Sequence, residues 1–283
     1  MKDYFSIIKP GIIYGNAVTV VAGFLLASRG RVDWLLLMAT IVGLSLVVAS
    51  GCVMNNYIDR DIDGMMERTK NRPLVRGAIS PKRALVFGKL LAILGLLILY
   101  VYTNLLVVAV SLFGLFVYVV VYSMWLKRSS THGTIVGSIS GAIPPVVGYL
   151  AVSNSIDLGA VILLFILALW QMPHSFAIAI YRLSDYTKAK IPVLPVKKGI
   201  AITKIYMVFY TALFVMATFS LAVFGYVGYA YFSVMMMLGF GWLGLCAKGF
   251  YVNDDKLWAR NMFIYSIIIL VVFCIMIGVE SLF

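Results

Sequence analysis

Nine apolar stretches, each close to the length that crosses a bilayer, constrain this 283-residue chain more than any other feature. They run at roughly 11–28, 34–55, 84–102, 105–126, 134–152, 157–181, 203–225, 229–248 and 260–281. A helix needs about 20 predominantly apolar residues to cross hydrocarbon. Backbone amides find no water there, so each stretch must satisfy its own hydrogen bonds as a helix. At 63% hydrophobic and 12% charged residues, with a mean hydropathy of +1.01, the chain is too apolar for a soluble domain. The fold class is therefore all-α, a polytopic membrane helical bundle of nine transmembrane helices forming one domain over 1–283. Only Thr103-Asn104 separates the third and fourth stretches, and only Tyr226 to Gly228 the seventh and eighth.

The start, Met1-Lys2-Asp3 followed by apolar residues, has the look of a signal peptide. Its apolar part exceeds the roughly 7 to 15 residues of such segments, and Pro10 and Asn16 interrupt it; a retained first span is expected. Orientation follows from Lys and Arg, which stay cytoplasmic in short loops. With the N-terminus cytoplasmic, that side holds Lys2 and Lys9, Arg60 through Lys89, Lys127 and Arg128, Arg182 through Lys204, and Lys248, Lys256 and Arg260. Of the 23 basic residues, only Arg29 and Arg31 fall outside. Topology thus accounts for the +12 net charge without any nucleic acid. Two cytoplasmic loops, about 56–83 and 182–202, are longer and more polar than orientation requires, and function is expected there.

The second stretch runs into Asn55-Asn56-Tyr57-Ile58-Asp59-Arg60-Asp61-Ile62-Asp63. On a continuing helix Asn55, Asp59 and Asp63 share an arc of about 80° along roughly 12 Å, while Asp61 points almost oppositely. Acidic side chains on one stripe repel one another unless a cation sits among them, and an all-oxygen set suits Mg²⁺ or Mn²⁺. Simple capping or solvation of a helix end is the competing reading. Arg68, Lys70, Arg72 and Arg76 follow directly. Basic residues beside a carboxylate stripe complement a diphosphate, with Arg offering forked donors. An anionic lipid surface is the alternative complement.

Further along, His174 lies about seven residues inside the cytoplasmic end of the sixth stretch, just after Pro173. An ionisable residue at that depth marks a functional site unless a neighbouring helix satisfies it. Asp185 falls at the depth of the first acidic stripe and is placed to meet it from an opposing helix. In Lys188 to Gly199, Pro192 and Pro195 block a regular helix, which predicts a rigid basic loop able to cover a site. Gly133, Gly137 and Gly141 form a packing stripe ahead of Pro144-Pro145, which disturb the helix. His132 is expected in solvent. Asp254 and Asp255 read as caps, and Cys52, Cys246 and Cys274 as core residues. Gly239 to Gly244 spells G-x-G-x-x-G, but mid-span with no preceding strand it carries no dinucleotide signal.

Asn55-x-x-x-Asp59-x-x-x-Asp63, followed by Arg68-Thr69-x-x-Arg72-Pro73-Leu74, resembles the first signature of the intramembrane prenyltransferases. Within that superfamily Gly141-Ala142-Ile143-Pro144-Pro145, Trp170-Gln171-Met172-Pro173-His174, Asp185-Tyr186-x-x-Ala189, Ile191-Pro192-Val193-Leu194-Pro195 and Asp254-Asp255-x-x-Trp258-Ala259-Arg260 are similar to the protohaem IX farnesyltransferases. The likeness runs from about residue 9 to 260. It implies that Asn55, Asp59, Asp63 and Asp185 hold Mg²⁺ on farnesyl diphosphate, with Asp59, Asp63, His174 and Asp185 catalytic. It also implies that Arg68, Arg72, Lys127, Arg128 and Arg182 bind the diphosphate, and that His174 meets haem b, a substrate rather than a cofactor. Quinone-type relatives have a second acid four residues from the position of Asp185; here Tyr181 and Ala189 stand there.

The resemblance further implies an integral protein of a bacterial inner membrane with its site facing the cytoplasm, and a haem-modifying enzyme or terminal oxidase as the product's recipient. Two other functions compete: prenyl transfer to an aromatic quinone precursor such as 4-hydroxybenzoate, and a membrane haem carrier or transporter. The polar groups gather near one face instead of lining a path across the bilayer, which weighs against transport.

Overall fold

A computed structural model describes residues 1–281. Among them are nine helices long and apolar enough to cross a membrane. In chain order they are α1 (Pro10–Ser28), α2 (Trp34–Ile58), α3 (Pro81–Tyr102), α4 (Leu105–Ser129), α5 (Gly133–Ser153), α6 (Leu158–Tyr181), α7 (Leu194–Val223), α8 (Tyr229–Tyr251) and α9 (Asp255–Glu280). Short helices Lys2–Ile7, Arg60–Asp63 and Leu183–Lys188 lie in the connections, and no strand occurs among the described residues. The protein is an integral membrane helical bundle.

Side-chain caps fix where several spans begin. Asp33, Asn104, Asp157 and Asp254 each accept a hydrogen bond from the backbone N–H three residues on, at 2.9–3.1 Å, satisfying a donor that the helix cannot. Asn104 thereby makes a two-residue break sufficient between α3 and α4. Asp254 starts α9 at Asp255, five residues before the apolar run begins. Asp255 does something else: its carboxylate pairs with Lys204 at 2.5 Å.

The spans pack as neighbours α2 with α3, α1 with α5, and α6 with α5, α7 and α9. Lipid offers no hydrophobic drive to helix association, so close backbone contact through small residues must supply it. At Gly23 an added Cβ would stand 1.9 Å from the Pro145 carbonyl oxygen, and at Gly148 2.1 Å from that of Val20. These two glycines let α1 and α5 touch backbone to backbone. Leu90, Ile93, Leu94 and Leu97 on α3 are exposed, as a lipid-facing surface requires.

Three local expectations are corrected. Helix α5 runs unbroken through Pro144 and Pro145, both buried; neighbouring helices can tolerate a missing amide hydrogen bond in a spanning segment. Pro195 does not block a helix but lies in the first turn of α7, where its missing N–H costs nothing. The chain lacks regular structure at Ile191–Val193, where the Val193 N–H donates back to the Ile191 carbonyl at 2.9 Å, and the later break is at Gly199, whose φ of 83° is a left-handed value glycine adopts freely. The two polar loops are accordingly shorter than 56–83 and 182–202, since α2 extends to Ile58 and α3 and α7 begin at Pro81 and Leu194. Within α4, Val117–Leu126 is wound as a π-helix, a form frequent at functional sites.

Candidate active site

The acidic stripe survives the end of α2. Helix geometry lapses at Asp59, yet the Asp59 N–H donates to the Asn55 carbonyl at 2.9 Å and the Asp63 N–H to the Asp59 carbonyl at 2.8 Å. The i to i+4 register continues round the corner, and Asn55, Asp59 and Asp63 are all buried. Asp61 faces away. It is exposed and makes two 2.7 Å hydrogen bonds with Arg128, and the Arg128 guanidinium holds its carboxyl down at about 2.

Asp59 and Asp63 each have a cation upon them. Lys127 donates to Asp59 Oδ2, Arg128 stands 3.7 Å from its Oδ1, and Arg72 pairs with Asp63 at 2.6 Å. The loop winds back to permit this: the buried Thr69 hydroxyl donates to the Asp63 carbonyl at 2.8 Å. The π-winding of α4 puts residues four and five apart on one face. Tyr118, Tyr122 and Lys127 line the cavity described below, while buried Ser123 accepts from Asn55 Nδ2 at 3.1 Å.

Lys9, read from the sequence only as an orienting charge, belongs to this cluster. Asn56 donates to the Ile7 carbonyl at 2.9 Å and fastens the first short helix to α2. The chain then reverses at Lys9 with φ 55°, and Lys9 Nζ donates to Asn55 Oδ1 at 2.6 Å. Burial, with Arg72 and Lys127 close by, lowers its ammonium to about 8. The dipeptide Lys9-Pro10 at the mouth of a span was the available signal, since Pro at a helix start fixes the lysine's height.

Asp185 meets the first loop from the far side. Its Oδ1 accepts the Glu67 N–H at 3.1 Å, while Ala189 and Ile191 pack with Ile62 and Met66. Of the other residues expected to bind the diphosphate, Arg68 is exposed with no ion-pair partner among the described residues, and Arg182 lies over its neighbour Tyr181, 4.6 Å from the ring centroid. No three His, Cys, Asp or Glu side chains among the described residues stand close enough to enclose one ion. The donor set nonetheless fits a hard divalent cation. It is all oxygen, and Asp59 Oδ1 is buried with no hydrogen-bond donor.

Beside the cluster opens a cavity of about 820 Å³, and Lys127, Tyr186, Gly141, Gln171 and His174 share its wall. Burial raises the Tyr186 phenol, keeping it a neutral O–H donor. Ile191 to Val193 also line the cavity, so the segment expected to cover the site does border it. The glycine stripe of α5 is more than packing: Gly133, Gly137 and Gly141 form part of the wall. Cys52 lines it too, whereas buried Cys246 and Cys274 lie in the core. His132 is exposed, as expected.

Residues 16–267 match the model of the UbiA prenyltransferase family. The chain belongs to this family. A relative named "Protoheme IX farnesyltransferase" from Sodalis glossinidius is 53% identical over 281 residues, covering 99% of this chain and 95% of its own. The UbiA fold is visible in solved structures as well. A digeranylgeranylglyceryl phosphate synthase superposes with a TM-score of 0.82 at 19% identity, over 99% of this chain and 98% of that one. A UbiA homologue from Archaeoglobus fulgidus, bound to GPP and Mg²⁺, superposes at 0.70 and 15% identity, over 98% and 99%. The narrowing to the protohaem IX branch, drawn from the motifs between Gly141 and Arg260, agrees with the relative's name.

Proposed function

We infer that this chain transfers the farnesyl group of farnesyl diphosphate to a vinyl group of haem b, with addition of water, giving haem O and diphosphate. The observation that carries the reading is the junction of a buried, cation-paired acidic cluster with an apolar cavity. One part suits a diphosphate and the other a C15 chain and a porphyrin, while near-full-length relatives bear the corresponding name.

Asn55, Asp59, Asp63 and Asp185 would hold Mg²⁺ here. When bound, the metal draws charge from the leaving diphosphate oxygens. Lys9, Arg72, Lys127 and Arg128 hold the diphosphate and take up the charge that grows on it as the bond breaks. Arg68 and Arg182 border the same loops and close on the diphosphate only by turning inward. The bond from the farnesyl first carbon to oxygen breaks, its electron pair leaving with diphosphate. The terminal vinyl carbon of haem forms the new C–C bond. Water then adds its oxygen to the adjacent vinyl carbon and releases a proton. The apolar wall excludes water from the allylic carbon until the vinyl group has met it. His174 meets the porphyrin. The positive-inside distribution supports a site facing the cytoplasm, and the bacterial source of the Sodalis relative fits a bacterial inner membrane. A haem-modifying enzyme or terminal oxidase takes the product.

The test is mass spectrometry of pigment extracted after purified protein is given farnesyl diphosphate, Mg²⁺, haem b and 4-hydroxybenzoate together. Farnesylated, hydrated haem is expected. Prenylated 4-hydroxybenzoate with unchanged haem would replace this reading with the quinone-type one.

A further inference from the structure

Trp170 and His174, one turn apart on α6, stack with centroids 4.6 Å apart and planes 24° from parallel. Both are fastened to one residue of α9, the fully buried Ser266. The Trp170 indole N–H donates to the Ser266 backbone carbonyl at 2.8 Å, and His174 Nδ1 lies 2.7 Å from the Ser266 hydroxyl oxygen.

Which of these last two atoms carries the proton follows from a third distance. Ser266 Oγ is 2.6 Å from the carbonyl oxygen of Phe263. Two oxygens that close repel unless a proton lies between them, and the separation is that of an O–H···O hydrogen bond. A carbonyl has no proton to give, so the single hydroxyl proton is on that line. Toward His174 the hydroxyl can then only accept. The imidazole must carry its proton on Nδ1 and its lone pair on Nε2. Nε2 makes no hydrogen bond to protein among the described residues, and His174 stands in the cavity wall.

We propose that Ser266 is a positioning residue that fixes His174 in the Nδ1–H tautomer, so that the Nε2 lone pair is offered to the iron of the haem substrate. This rests on the reading that haem b occupies the cavity. An imidazole whose remote N–H is held by an oxygen is the usual form of a metal-ligating histidine. The opposite tautomer would present an N–H, suited to a propionate and useless to iron. Trp170, anchored on the same serine, limits rotation of the ring plane.

The chain has two histidines, so His132→Asn leaves His174 as the only one. Nitrogen NMR of that protein, labelled with ¹⁵N-histidine in lipid nanodiscs without haem, is expected to show a protonated Nδ1 and an unprotonated Nε2. The reverse assignment overturns the proposal without reference to activity. Ser266→Ala should yield a tautomer mixture; one unchanged tautomer overturns the role of the serine. In titrations with ferric haem b, the wild-type spectrum should report a nitrogen axial ligand that is absent in His174→Ala. Ser266→Ala should weaken haem binding about tenfold or more, with farnesyl diphosphate binding retained as the check on folding. Equal haem affinity in Ser266→Ala and wild type also overturns it. Nitrogen ligation observed without any farnesylated product supports the proposal and removes the functional reading alone.

Discussion

The carboxylate of Asp185 accepts the backbone N–H of Glu67 across 118 residues of sequence, at 3.1 Å. It therefore has two roles that a substitution can separate, holding the loop of residues 64–72 and supplying negative charge beside the acidic stripe.

Asp185→Asn keeps an acceptor oxygen for Glu67 and loses the charge. Turnover should fall about 100-fold or more, in the range for removing one preorganised electrostatic group, with loop protection from hydrogen exchange retained. Asp185→Ala should lose both. Equal loop protection in the two variants would show that the hydrogen bond does not hold the loop.

Lys9→Met removes a cation and a charged donor from Asn55 Oδ1. A hydrogen bond to a charged group is worth about 1.5–3 kcal/mol, so KM for farnesyl diphosphate should rise about tenfold or more. Initial rates at saturating haem b check this, and an unchanged KM would return Lys9 to a purely orienting role.

Asp61, two residues from Asp59, faces Arg128 and solvent. Exposed ion pairs contribute little, so Asp61→Asn should keep turnover within about fivefold of wild type, whereas Asp59→Ala should abolish it even at high Mg²⁺. Its folded pKa is depressed to about 2 from an ordinary 3.8. Whatever stability the pair contributes is present above the ordinary value and lost as pH falls through about 2. The melting difference between wild type and Asp61→Asn should hold constant from pH 7 to 5, measured by scanning fluorimetry.

At Gly141 an added Cβ would lie 1.9 Å from Gln171 Oε1, the far end of a flexible side chain. Gly141→Ala should fold, displace Gln171 within the cavity wall and lower haem b affinity while sparing farnesyl diphosphate. Gly244→Ala, with nothing within 4 Å, is the matched control and should change neither affinity.

Span-length apolarity carried nearly all of the fold, because lipid forces each such segment to be helical. The stripe from Asn55 to Asp63 was legible for the same reason: helical spacing converts directly into a shared face. Ser266 was not, and Lys9 only through its place before Pro10, since each acts through a partner far along the chain, His174 and Asn55, that no local period reveals. The π-winding of α4 was hidden too. Val117 to Leu126 is apolar throughout, and hydropathy cannot tell one helical winding from another. The pairing of Asp185 with the first loop was foreseen as a meeting at one depth, but through Mg²⁺; the contact seen is with a backbone amide.

The central claim is that acids from the α2 corner and from the segment after α6 act on one metal-held diphosphate. Its most direct test is the Mg²⁺ dependence of binding of a non-cleavable farnesyl thiodiphosphate to wild type, Asp59→Asn and Asp185→Asn. Binding should need Mg²⁺ in wild type, and each single variant should lose most of that dependence. Asp185→Asn binding the analogue with wild-type Mg²⁺ dependence would contradict a site shared between the two segments.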